Sequence, residues 1–211
     1  MERKAVEISV QKFVMSLATF AYNILLLMVI AGIIGIGTSS IVAVLGSAGL
    51  AVGLALQGSL SNLAGGVLIL LLKPFRVGDY IITAGAEGTV MSIDIFYTRI
   101  ATTDNKVVVI PNGTISNSNV TNTTKQDERM LVLEFTVSLD ANIEEVKTEI
   151  MKLIESNERI LHEMNRCVVV DKLTPVNIKM QAKAWTKSED YWDVKYLLLE
   201  QISIVLQGFR G

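Results

Sequence analysis

A chain of 211 residues that is half hydrophobic, with a formal net charge of −2, fits an integral membrane protein carrying a modest soluble part. Three of its basic and two of its acidic residues precede Leu72, so the remainder holds 16 basic and 19 acidic residues, a balance that argues against nucleic-acid binding. The lone Cys167 excludes an internal disulfide and fits a reducing compartment.

From Phe13 to Leu72 there is no Asp, Glu, Lys or Arg. As helices, residues 13–37 would rise roughly 37 Å and residues 41–72 somewhat more, against a hydrocarbon core of about 30 Å. Two spans are therefore predicted, joined by a short polar hairpin at Gly37-Thr38-Ser39-Ser40. The apolar stretch is too long for a cleavable signal peptide and runs into a second span. Arg3, Lys4 and Lys12 precede the spans, Lys73 and Arg76 follow them, and the hairpin is uncharged. The positive-inside rule then places both ends in the cytoplasm.

On a helical wheel the second span shows three stripes. Gly46, Gly49 and Gly53 share one edge, and Ala43, Ser47 and Ala51 share the other. Leu50 and Leu54 form a ridge between them. Small residues let helices approach closely in lipid, so a Gly edge can receive a neighbour's Ala/Ser edge. Head-to-tail repetition of that contact closes a ring and turns the leucines toward its axis, where they would gate by dewetting. Ordinary small-residue packing of two helices is the alternative, but a dimer needs only one such edge. Gln57-Gly58-Ser59 interrupts the helix without ending the apolar pattern, which predicts a hinge or a static kink at Gln57 and Gly58. Pro74 ends the helix, and Lys73 and Arg76 are placed to meet lipid headgroups.

The run Leu-Ala-Val-Gly-Leu-Ala-Leu-Gln-Gly-Ser-Leu-Ser-Asn at Leu50 to Asn62 follows Gly46-Ser47-Ala48-Gly49. Lys73-Pro74-Phe75-Arg76-Val77-Gly78-Asp79 and Ile110-Pro111-Asn112-Gly113 come after it. Together these strongly resemble the small-conductance mechanosensitive channel family of bacteria, with a weaker match near Trp185 and Tyr191-Trp192-Asp193. The resemblance implies that the second span lines the pore of a heptamer, that Leu50 and Leu54 form its vapour-lock constriction and that Gly58 kinks the helix. It also implies that the first span corresponds to the helix just before the pore helix. The family's usual additional amino-terminal span and its Pro-rich carboxy-terminal barrel strand have no counterpart, as in a natural short form or a fragment. Ser47 stands where alanine is commoner in the family and could add an interhelical hydrogen bond.

From Asp79 the period shifts toward two. Short strands are predicted at residues 80–82, 88–93, 97–102 and 107–110, with turns at Gly85-Ala86-Glu87-Gly88 and Asp104-Asn105. Four or five strands within 73–126 suggest a small Sm-like β-barrel, the domain that the resemblance also places here. An RNA-binding barrel is the other use of that shape, disfavoured by acidic balance and sparse aromatics. Residues 127–211 read as βαββα, with strands near 130–137, 167–172 and 176–185 and helices at 143–156 and from about 189, which suggests a ferredoxin-like α+β domain. Asp140 or Asn142 would cap the first helix and Ser188 the second. By resemblance, these two domains wall a cytoplasmic cage whose side portals filter solutes.

Enzyme chemistry has no foothold. His162 is the only histidine and lies in a charged helix-to-loop stretch; Cys167 opens a hydrophobic strand as a default buried thiol. No Cys, His or carboxylate spacing suggests a metal, and no cofactor is called for. Pro111-Asn112-Gly113 reads as a turn rather than a phosphate loop. Three glycosylation sequons, at Asn112, Asn119 and Asn122, are accidental if this part is cytoplasmic. The spans hold no ionisable residue, which disfavours a proton-coupled transporter. The leading expectation is a homo-oligomeric channel of the bacterial inner membrane, opened by tension and passing ions and small solutes for osmotic relief. The competing one is a membrane-anchored oligomeric scaffold or sensor without a conducting pore.

Overall fold

The computed structural model describes residues 2–35 and 37–209, with the side chains of 2–7, 9, 10 and 40 left aside. The predicted basic side chains Arg3 and Lys4, and Arg210 and Gly211 at the end, lie outside what is described. The chain divides into two compact units, Met1–Leu60 and Ser61–Gly211, and the division falls within the second long helix.

The first unit contains helix α1 (Glu2–Ile33) and most of helix α2 (Ser39–Leu72). Apolar runs long enough to cross a membrane occupy Gln11–Ile33 and Ile41–Leu72. The first helix stops earlier than the predicted residue 37, because Gly35 adopts φ +82°, a conformation costly for any residue with a Cβ. The amides of Ile34 and Gly35 fold back onto the Ile30 and Gly32 carbonyls and close the end. The helical hydrogen-bonding pattern of α2 runs through Gly58 without a break.

In the second unit, strands β1 (Tyr80–Thr83), β2 (Ala86–Ile93), β3 (Tyr97–Ala101) and β4 (Val107–Pro111) form an antiparallel meander. A short helix α3 (Asn112–Ser116) then leads to β5 (Val120–Asn122), which pairs with β1. The order is β4-β3-β2-β1-β5. Among the described residues β4 and β5 share no ladder and stand at the two edges of this sheet. β5 is three residues long, pairs with β1, and reaches that edge through α3. Alternation sends Ile81, Val90, Ile100 and Ile110 inward, where Phe75 and Ile115 join them. Ile69 from the last turns of α2 completes this core.

The remaining chain has the βαββα order read from its sequence. Strands β6 (Glu128–Val137), β7 (Cys167–Leu173) and β8 (Ile178–Lys187) make an antiparallel sheet of order β6-β8-β7. Helices α4 (Ile143–Ser156) and α5 (Tyr191–Gln207) pack on it. Val146, Ile150 and Ile154 repeat every four residues on α4, and Val194, Leu198 and Ile202 line the buried stripe of α5. Asn142 caps α4 as expected, its side chain accepting from the Glu144 amide at 3.2 Å. Ser188 does not cap α5. Its hydroxyl donates to the Gln126 carbonyl, tying the residue just before this domain to the end of β8, and Ser188 to Asp190 form a short 3-10 turn before the helix. Cys167 is half-buried rather than buried, because β7 is an edge strand.

Candidate functional site

Every candidate residue from Ala43 to Gly58 on α2 is exposed in the single chain. Leu50 and Leu54 are 65% and 62% exposed. Ala43, Gly46, Ser47, Gly49, Ala51 and Gly53 lie on the same open surface, as do Gln57 and Gly58. A Cβ built on Gly46, Gly49, Gly53 or Gly58 meets nothing within 4 Å. The hydroxyl of Ser47 donates to the Val44 carbonyl of its own helix at 2.9 Å. A contiguous exposed apolar face such as Val44, Leu50, Val52, Leu54, Leu56 and Leu60 would be an anomaly in water; on a span it is a surface awaiting lipid, a neighbouring helix or a pore.

The last turns of α2 differ. Gly65, Gly66 and Ile69 form a buried stripe within the second unit, against the β2–β3 loop and the start of α3. A Cβ on Gly65 would sit 2.6 Å from the Asn112 carbonyl oxygen, and one on Gly66 would strike the Ile95 carbonyl and lie 2.6 Å from the Asn112 amide nitrogen. Only glycine permits this approach. Asn62, one turn earlier, accepts a hydrogen bond from the Gly113 amide at 2.9 Å.

Asn112 organises the contact. It is fully buried, yet every polar atom of its side chain has a partner. Its Nδ2 donates to the Asp94 and Ile95 carbonyls at 2.8 and 3.1 Å, and its Oδ1 accepts from the buried Thr98 hydroxyl at 2.8 Å. Its own amide donates to the Phe96 carbonyl at 2.9 Å. The motif read as a simple turn thus starts a short helix and staples the loop that supports α2. The sequence offered one signal for this docking face, the Gly65-Gly66 pair inside an otherwise leucine-rich run.

At the end of α2, Lys73 and Arg76 are exposed and flank the buried Phe75, which anchors the turn in the β core. His162 is exposed, its carbonyl accepting from Arg166. Among the described residues no group of His, Cys, Asp or Glu is arranged to hold a metal.

The family profile described as "Mechanosensitive ion channel, beta-domain" matches residues 58–125, and that described as "Mechanosensitive ion channel MscS, C-terminal" matches residues 131–207. An MscS family protein of Buchnera aphidicola subsp. Baizongia pistaciae is 36% identical over 193 residues, which is 90% of this chain and 69% of that protein. The chain belongs to the MscS family of mechanosensitive ion channels. The small-conductance mechanosensitive channel of Edwardsiella ictaluri is 38% identical over 77% of this chain, which spans 57% of that channel's length. The closed-state crystal structure of Helicobacter pylori MscS superimposes with a TM-score of 0.79 at 31% identity, covering 87% of this chain and 73% of that one. Membership makes the chain part of a membrane channel family, not an enzyme.

Proposed function

We propose that this chain forms a homo-oligomeric channel, most simply a heptamer, that opens under membrane tension and passes ions and small solutes with little selectivity, relieving osmotic pressure. The observation that carries the reading is the surface of α2. No ionisable residue interrupts Ile41–Leu72, and two small-residue edges flank Leu50 and Leu54 on a helix face that stands exposed among the described residues. The named channels among its relatives support the activity.

In the closed ring, the Gly46, Gly49 and Gly53 edge of one copy receives the Ala43, Ser47 and Ala51 edge of the next, and the leucines of all copies meet near the axis. Tension does work in proportion to in-plane area gained, so it favours the wider state. Sliding one edge along the other withdraws Leu50 and Leu54 and admits water. The docking of Gly65 and Gly66 on the β domain fixes the last turns of α2 there, so the movement is absorbed upstream, at Gln57 and Gly58. A pore surface without charge selects weakly; any preference arises in the cage walls formed by residues 73–126 and 127–211. The spans, drawn at 13–37 and 41–72, lie in the inner membrane with the segment 1–12 and the carboxy-terminal domains in the cytoplasm.

The test is release of a trapped dye from liposomes on hypo-osmotic shock. Release that grows with the shock and becomes spontaneous in Leu50→Ser supports the channel. A scaffold without a water path leaves the dye inside in both.

A further inference from the structure

The last turn of α2 and the loops beside it enclose a cleft of about 600 Å³ walled by Leu71, Leu72, Lys73, Arg76, Asp79 and Lys125. Leu71 and Leu72 are 72% and 75% exposed and end the membrane-length apolar run. Lys73 follows them with φ +48°, a left-handed conformation usually left to glycine after a helix, so a long cationic side chain occupies a position where backbone preference alone would select none.

The backbone turns that carry the other two cations are joined by a chain of hydrogen bonds. The Arg76 amide donates to Asp79 Oδ2 at 2.9 Å, and the Asp79 amide donates to the Arg76 carbonyl at 3.1 Å. Asn122 Nδ2 donates to the same Asp79 oxygen at 2.7 Å. Asn122 Oδ1 in turn accepts from the Thr124 and Lys125 amides at 3.1 and 2.9 Å. Two turns distant in sequence are thereby locked side by side, with Arg76 on one and Lys125 on the other. Among the described residues none of Lys73, Arg76 and Lys125 forms an ion pair with a carboxylate. The wall carries one acidic group, and its Oδ2 is already engaged, so the cleft holds an excess of positive charge beside exposed leucines.

We infer that this cleft binds the phosphate of an anionic phospholipid headgroup, with Lys73, Arg76 and Lys125 donating to its oxygens and Leu71 and Leu72 lying against its acyl chains. Free phosphate offers the same oxygens but leaves the leucines in water, which is why a lipid is the occupant. The inference needs membrane insertion only and stands apart from whether the pore conducts.

Binding of dioleoyl phosphatidylglycerol and of dioleoyl phosphatidylcholine to the purified full chain in detergent, counted by native mass spectrometry, tests it. The expected result is retention of phosphatidylglycerol over phosphatidylcholine. Removing one charge with Lys125→Gln weakens that retention about fivefold, and the triple change at Lys73, Arg76 and Lys125 weakens it roughly a hundredfold. Lys125→Arg keeps it, and Lys152→Gln, which removes a charge from α4, leaves it unchanged. Equal binding of the two lipids, or equal loss in Lys152→Gln and Lys125→Gln, overturns the inference. Displacement of phosphatidylglycerol by excess inorganic phosphate overturns the lipid assignment and gives the cleft to free phosphate. If the triple variant unfolds, Lys125→Gln on its exposed turn, checked for an unchanged melting temperature, decides the matter.

Discussion

Gly66→Ala separates a helix that merely touches the β domain from one that is docked on it. In an exposed helix this change would stabilise by about 1 kcal/mol, because alanine loses less backbone entropy than glycine. Here the added methyl would strike the Ile95 backbone carbonyl and crowd the Asn112 side-chain Nδ2, which is buried and held by hydrogen bonds to Asp94 and Ile95 and so has no free rotamer to move into. Overpacking of this kind costs roughly 1–3 kcal/mol. Pushing Asn112 aside also weakens its bonds to Asp94 and Ile95, at about 1 kcal/mol each. The helix gain offsets part of this, leaving a net loss on the order of 1–4 kcal/mol. At roughly 3 °C per kcal/mol for a unit of this size, the melting temperature falls by about 3–12 °C. Thermal unfolding of the purified chain in detergent, followed by near-ultraviolet circular dichroism, reads the shift. Gly58→Ala, where the new methyl meets nothing within 4 Å in the chain, should not lower the midpoint. An unchanged or raised midpoint for Gly66→Ala would refute the docking.

Asn62→Ala leaves the Gly113 amide without its acceptor, so hydrogen exchange at that amide should accelerate by at least about fivefold, corresponding to the lower end of the roughly 1–3 kcal/mol of an unsatisfied buried donor; unchanged protection would remove the tie. Asn142→Ala should cost about 1 kcal/mol through the lost cap of α4, measured by denaturant unfolding, with Asn142→Asp largely preserving stability. The Asp104 carboxyl is held below the ordinary aspartate range, first by the Lys106 ammonium and then by the Thr102 hydroxyl. Its folded pKa is depressed, so the contribution is present above the ordinary aspartate pKa and is lost as pH falls through the folded value. A carbon-detected titration should place its midpoint below that of a free aspartate, and Lys106→Gln should move it upward.

Much of the architecture was legible because it rests on periodicity. The charge-free run gave both long helices, and alternation gave β1 to β4. The βαββα order followed from the same reading, down to the α4 limits and the Asn142 cap. What sequence left unread depends on partners distant along the chain. Asn112 looked like a turn residue because its role is set by the Asp94 and Ile95 carbonyls and the Thr98 hydroxyl, groups on another loop and strand. Ser188 looked like a cap, but the Gln126 carbonyl competes for its hydroxyl. Strand β5 is three residues of Val, Thr and Asn, too short for alternation to register. The stripes on α2 are a different case: they follow from helical geometry alone, and in the ring proposed above their partners would be other copies of the chain and lipid, which a single chain does not contain.

Excised-patch recording from liposomes holding the purified protein, with suction ramped, addresses the channel directly. The account predicts discrete currents that appear with suction and a threshold lowered by Leu50→Ser. Silence under suction, with the protein inserted and oligomeric, or currents whose threshold ignores both Leu50→Ser and Leu54→Ser, would contradict it.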